Sequence, residues 1–142
     1  TFRPLLESGG VSVVHPDVLT IGGAMEIKKL GDLCEQYGAA MAIHMAESPI
    51  GCMAAVHAAA ALPHILAVEH HSTDIPWWND LAMGIANPLV QNGFIQVPDT
   101  PGLGISELNE ELIREHLHSR KAGYWEETSQ WDEEWSNDRV WS

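Results

Sequence analysis

Short apolar runs and amphipathic stretches alternate along the first half of the chain. Residues 11–14, 39–43 and 65–68 are near-continuous apolar runs, the mark of strands buried on both faces. Between the first two, residues 24–37 place Ile27, Leu30, Leu33 and Cys34 at helical spacing, and Gly38 follows where a helix C-terminal glycine is expected. Between the second and third, residues 45–51 read as a loop and residues 52–62 as an alanine-rich helix stopped by Pro63. Residues 1–8 read as the last turns of a helix closed by Gly9-Gly10. The order β-α-β-α-β predicts parallel strands joined by right-handed crossovers.

Beyond Glu69 the rhythm changes. Residues 70–86 read as a loop or irregular helix containing Trp77-Trp78. Residues 90–97 read as two short strands around an Asn92-Gly93 hairpin turn. A connection rich in proline and glycine spans 98–104, a helix is expected over 107–118, and an acidic tail carries Trp125, Trp131, Trp135 and Trp141.

At 142 residues and 45% apolar, the composition is that of one ordinary folded domain. A net charge of −13 disfavours nucleic acid and anionic membrane surfaces as partners, and no apolar run approaches the length a membrane helix needs. Cys34 and Cys52 fall inside predicted helices without metal-type spacing, so both are expected as buried free thiols in a reducing, cytoplasmic setting. The chain begins with Thr1 rather than Met and has no signal pattern, as expected of a processed or truncated chain or a piece of a longer frame.

Each of the three runs ends in an ionisable residue: Asp17, His44 and Glu69, spaced by 27 and then 25 residues. In parallel α/β folds, reactive groups collect at the carboxyl ends of strands. A carboxylate beside an imidazole fixes its tautomer and stabilises the imidazolium, giving a tuned acid or base. A second carboxyl, if held protonated, can donate a hydrogen bond to a substrate carboxylate. Any one of the three taken alone is more simply a cap, a surface group or a satisfied core polar residue; the even spacing favours a common site.

Asp17 before Gly22-Gly23, His44 followed by Ser48-Pro49-Ile50-Gly51, and then Glu69 resemble the C-terminal barrel half of the enolase superfamily. The likeness is to its mandelate-racemase branch and, within that, to galactonate-dehydratase-like sugar-acid dehydratases. Asn92-Gly93, Val97-Pro98-Asp99, Pro101-Gly102-Leu103-Gly104 and Leu108-Asn109 extend it. The resemblance implies an α/β fold: about three βα units, residues 1–88, of a TIM-type (β/α)7β barrel, with residues 89–142 adding a hairpin, a helix and the Trp-rich tail. It implies that the capping domain and the first strands lie outside this chain. It also implies a catalytic Asp17–His44 dyad, with Glu69 and His44 contacting the substrate carboxylate and the departing hydroxyl. The activity implied is dehydration of a small sugar acid through an enediolate, with Mg²⁺ held by acidic residues on absent strands. The complete enzyme is expected to be a homo-oligomer, and this chain alone to be inactive.

Three other readings stand beside this one. A racemase or epimerase of the same superfamily would use His44 to exchange the α-proton. A non-catalytic remnant would use the polar strand ends structurally. A metal hydrolase would draw on His44, Glu69, His70 and His71 and bind zinc. His44 with Glu47 could likewise offer metal ligands. His57 is expected to be structural, and His116 and His118 to be solvated last-turn residues favoured by the helix dipole.

Overall fold

The computed structural model describes residues 2–117. They divide into one unit through Asn109 and a second that begins at Glu110. The first opens with α1 (Arg3–Glu7) and continues β1 (Val13–Val14), α2 (Ala24–Gln36), β2 (Ala40–Ile43), α3 (Pro49–Ala60) and β3 (Ile65–Val68). The three strands form one parallel sheet in the order β1-β2-β3. Two 3₁₀ turns, Ser72–Asp74 and Trp78–Leu81, lead into β4 (Ala82–Met83), which pairs antiparallel with β5 (Glu107–Leu108).

The helices cover one face of the sheet. Val14, Met41 and Ile43 point into a core with Ile27, Leu30 and Cys34 of α2 and Cys52, Met53 and Val56 of α3. On the opposite face Val13 pairs with Ala40, and Val13 is 44% exposed. Strand β2 alternates between the faces: Met41 and Ile43 are buried, whereas Ala40 and Ala42 are only partly so. The expectation of strands buried on both faces therefore holds on the helical side only. On β3, Leu66 and Ala67 are exposed, Leu66 at 63%. Polar functional groups can stand on the open side without being sealed into the core.

Several boundaries move. Of the strand expected over 11–14, only Val13–Val14 is strand, although the Ala40 amide still donates to the Ser12 carbonyl at 2.9 Å. Helix α2 ends one residue short of Tyr37, and the amides of Gly38 and Ala39 donate back to Glu35 and Cys34 in a Schellman closure. The second helix begins at Pro49, not at residue 52. Ser48 is extended and Pro49 sits in the first turn, where its missing N–H costs nothing.

The expected hairpin over 90–97 is a correction. Asn92 and Gly93 make the tight turn with φ of 53° and 81°, but it closes a single bridge, Gln91 to Phe94, and no strand extends from it. The helix expected over 107–118 starts only at Glu110, because Glu107 and Leu108 are drawn into pairing with Met83 and Ala82. In the second unit, α4 (Glu110–Glu115) is a short helix with an Arg114–Glu110 ion pair at 2.9 Å. His118 and the Trp-rich tail lie outside the described residues. No helix of the described residues is long and apolar enough to cross a membrane.

Candidate active site

Parallel pairing continues past the formal strand ends and aligns the three ionisable residues. The His44 amide donates to the Pro16 carbonyl at 2.9 Å, giving an isolated bridge between Asp17 and His44. The Glu69 amide donates to the Ile43 carbonyl, also at 2.9 Å. Val18 and Met45, each one residue further on, are buried and anchor the chain there. His44 thus stands between Asp17 and Glu69 at the carboxyl edge of the sheet.

The His44 Nδ1 and Asp17 Oδ2 are 2.8 Å apart. Asp17 is itself fixed, accepting from the amides of Leu19 at 2.7 Å and Thr20 at 3.3 Å. Nε2 of His44 lies 3.7 Å from Oε2 of Glu69, and the imidazole is 39% exposed. With Nδ1 taken by Asp17, Nε2 is the nitrogen left to exchange a proton on the open side. Glu69 is shared further, lying 2.6 Å from Nε2 of His71 and 3.1 Å from Nε2 of His15.

Electrostatics separate these groups. The Asp17 hydrogen bond raises the His44 imidazole above its ordinary value of 6.5 against the opposing effect of burial, and the charges of Glu69, Asp17 and Glu47 add to the rise. Burial pushes Asp17 up, but hydrogen bonds from Glu47, His44 and the Leu19 and Thr20 amides outweigh it and leave the carboxyl below the usual range. Glu47 is raised by burial and by its hydrogen bond to Asp17. Glu69 is lowered, chiefly by His71, with His15 and the Met45 amide assisting against burial. In this network Glu69 is therefore an ionised acceptor between imidazoles; donating to a substrate carboxylate requires a proton that the network does not favour.

One histidine weighed as a ligand lies elsewhere. His70 turns inward against Trp78, with ring centroids 4.8 Å apart, and burial lowers its imidazole below the ordinary value. The four-residue hydrolase set is therefore not assembled. Trp78 is buried, and its indole N–H donates to the Glu47 carbonyl at 2.8 Å. His57 is within α3, with Nε2 buried and without a hydrogen-bond partner, consistent with a packing role. Cys34 and Cys52 are free and buried, and burial, aided by the Glu47 charge, pushes the Cys52 thiol up to about 12. A cavity of about 410 Å³ lies along α3, β3 and the 90–97 segment, and its lining includes none of Asp17, His44 and Glu69.

Sequence reasoning gave no role to His15, and it considered Glu47 only as a ligand. His15 shares the strand alternation of Val13 and Asp17, and Glu47 follows His44 by three residues; those were the available signals. Asp17, His44 and Glu47 bring donor atoms within 4.8 Å of one another. Mg²⁺ takes an octahedral shell of oxygens, whereas this set offers an imidazole nitrogen and two carboxyls already engaged elsewhere, Asp17 with the Leu19 and Thr20 amides and His44, and Glu47 with the Ala46 amide. The set does not fit Mg²⁺.

Residues 1–112 match the family described as Enolase C-terminal domain-like. The chain belongs to this family, within the enolase superfamily. Among its family relatives, the "D-xylonate dehydratase" of Haloferax volcanii is 40% identical over 115 residues, covering 81% of this chain and 27% of that protein. The "D-galactonate dehydratase" of Ralstonia pickettii is 31% identical over 143 residues, covering 87% of this chain and 33% of that protein. A solved structure of a mandelate racemase/muconate lactonizing enzyme-like protein from Rubrobacter xylanophilus superposes with a TM-score of 0.77 at 37% identity, covering 83% of this chain and 30% of that one. The chain thus spans about a third or less of these relatives, and its enolase-superfamily fold is the TIM-barrel-like α/β fold.

Proposed function

We propose that the chain is the C-terminal part of an acid-sugar dehydratase, a hydro-lyase in which His44 is the general acid and Asp17 its orienting partner. The observation that carries this reading is the 2.8 Å contact between His44 Nδ1 and Asp17 Oδ2 at the ends of adjacent parallel strands. The dehydratase relatives support it. Once the proton α to the substrate carboxylate has been removed, the C3–O bond breaks. The departing hydroxyl takes the Nε2 proton of His44 and leaves as water, and the enol becomes a 2-keto-3-deoxy acid. Asp17 stabilises the imidazolium before transfer, and Glu69 faces the same side of the ring. In this reading the Mg²⁺ ligands, the first barrel strands and the capping domain lie outside this chain, the complete enzyme is a homo-oligomer, and the 142 residues alone turn nothing over.

In the complete enzyme, His44→Asn is expected to lower dehydration by about 10²–10⁴-fold, the usual worth of a positioned acid. Near-full turnover would overturn the assignment. A racemase or epimerase is the second reading, favoured by structural neighbours titled mandelate racemase/muconate lactonizing enzyme. Incubation of a sugar acid in D₂O separates the two, because dehydration yields the keto acid while racemisation returns deuterated, inverted substrate. The raised imidazole favours the acid role, since it enriches the form that has a proton to give.

A further inference from the structure

We infer that Glu69 accepts a hydrogen bond from the departing hydroxyl of the substrate, and that His15 and His71 are the positioning residues that hold it there. This deepens, and rests on, the reading of His44 as the acid that expels that hydroxyl. Nε2 of His44 and Oε2 of Glu69 are 3.7 Å apart, too far to bond to each other. A hydroxyl oxygen at the ordinary distance of about 2.8 Å from both atoms fits that gap. There it accepts from the His44 N–H while its own proton points to Glu69, which turns a lone pair toward the acid. As the C3–O bond breaks, its electron pair stays on the oxygen and the Nε2 proton becomes the second O–H of the departing water. The first O–H stays directed at Glu69, which neither gains nor loses a proton.

The surroundings of Glu69 supply donors from both sides. Glu69 follows β3 and His15 follows β1, so their 3.1 Å contact spans the intervening β2, where His44 stands. Nε2 of His71 lies 2.6 Å from Oε1, and the Met45 amide donates to Oε2 at 3.4 Å. A carboxyl has at most one proton to give, so at least one of the two imidazoles must donate to it. An ionised carboxylate satisfies both rings and the amide at once, and its lone pairs leave room for a further donor. A substrate hydroxyl brings that donor, whereas a substrate carboxylate would bring a second negative charge.

The titratable groups facing Glu69 are thus His15, His44 and His71, while Asp17 and Glu47 lie on the Nδ1 side of the His44 ring. The Asp17–His44 dyad requires neither His15 nor His71. Both rings are exposed, so alanine can replace either without opening the core.

The test has two parts. In the complete enzyme, Glu69→Ala incubated with the sugar acid in D₂O should still exchange the α-proton but lose water slowly. The ratio of deuterated recovered substrate to keto acid should rise by about tenfold or more. An equal loss of exchange and dehydration would show Glu69 to bind the substrate carboxylate, and an unchanged ratio at full turnover would show it idle; each overturns the inference. In the 142-residue chain without substrate, ¹³C NMR of the Glu69 carboxyl should give a midpoint below its ordinary 4.5. His71→Ala should raise that midpoint by about 0.5 unit or more, and His15→Ala, which removes the longer contact, by less. A wild-type midpoint at or above 4.5, or one that neither variant moves, would overturn the positioning role; if one variant does not fold, the other decides. The second part needs no turnover, so its failure is distinct from failure of the dehydratase reading.

Discussion

At the β1 end of the site, Asp17 is 12% exposed and held by two backbone amides and the His44 imidazole. At the β3 end, Glu69 is 29% exposed and its partners are the imidazoles of His15 and His71, exposed at 48% and 60%. Both carboxylates flank one imidazole, yet their supports differ in kind. Backbone amides do not move without unfolding the turn, whereas exposed side chains exchange partners with solvent or ligand at little cost. The β1 side suits orientation of His44, and the β3 side suits exchange with an incoming substrate group.

Asp17→Ala should break this asymmetry most severely. It leaves the Leu19 and Thr20 amides without their acceptor and should cost about 1–3 kcal/mol by denaturant unfolding. The pH dependence follows from the two shifts. The Asp17 contribution is present above its ordinary 3.8 and is lost as pH falls through its lowered folded value. The His44 contribution is present below 6.5 and is lost as pH rises through its raised folded value. The difference between wild type and Asp17→Ala should therefore be greatest between about pH 4 and 6.5.

Trp78→Phe should have a smaller effect, about 1 kcal/mol, because the indole hydrogen bond to the Glu47 carbonyl is lost while the ring still fills the core. Glu69→Gln should have the least effect on folding: its unfolding midpoint is expected to stay near wild type and to be insensitive to added salt. A loss as large as that of Asp17→Ala would show the two ends to be equivalent and remove the distinction.

Asp17, His44 and Glu69 were legible in the sequence because each closes an apolar run and the runs recur at a βα pitch. A parallel sheet turns that regularity into spatial adjacency. The place of Glu47 beside His44 was not legible in this way, since its carbonyl is clasped by Trp78 from 31 residues away. The start of α3 was missed because Ser48-Pro49 reads as loop chemistry while also serving as a helix entry. Glu107 and Leu108 continue a helical pattern locally and are drawn into a strand by residues 82 and 83, a non-local pairing that no window of the sequence contains.

The His44 imidazole reports the central claim directly. Long-range ¹⁵N NMR of the 142-residue chain across a pH series should show the neutral ring protonated at Nδ1 and a midpoint above 6.5, with Asp17→Asn bringing that midpoint back toward the ordinary value. A wild-type midpoint at or below 6.5, unmoved by Asp17→Asn, would contradict the dyad and with it the acid role of His44.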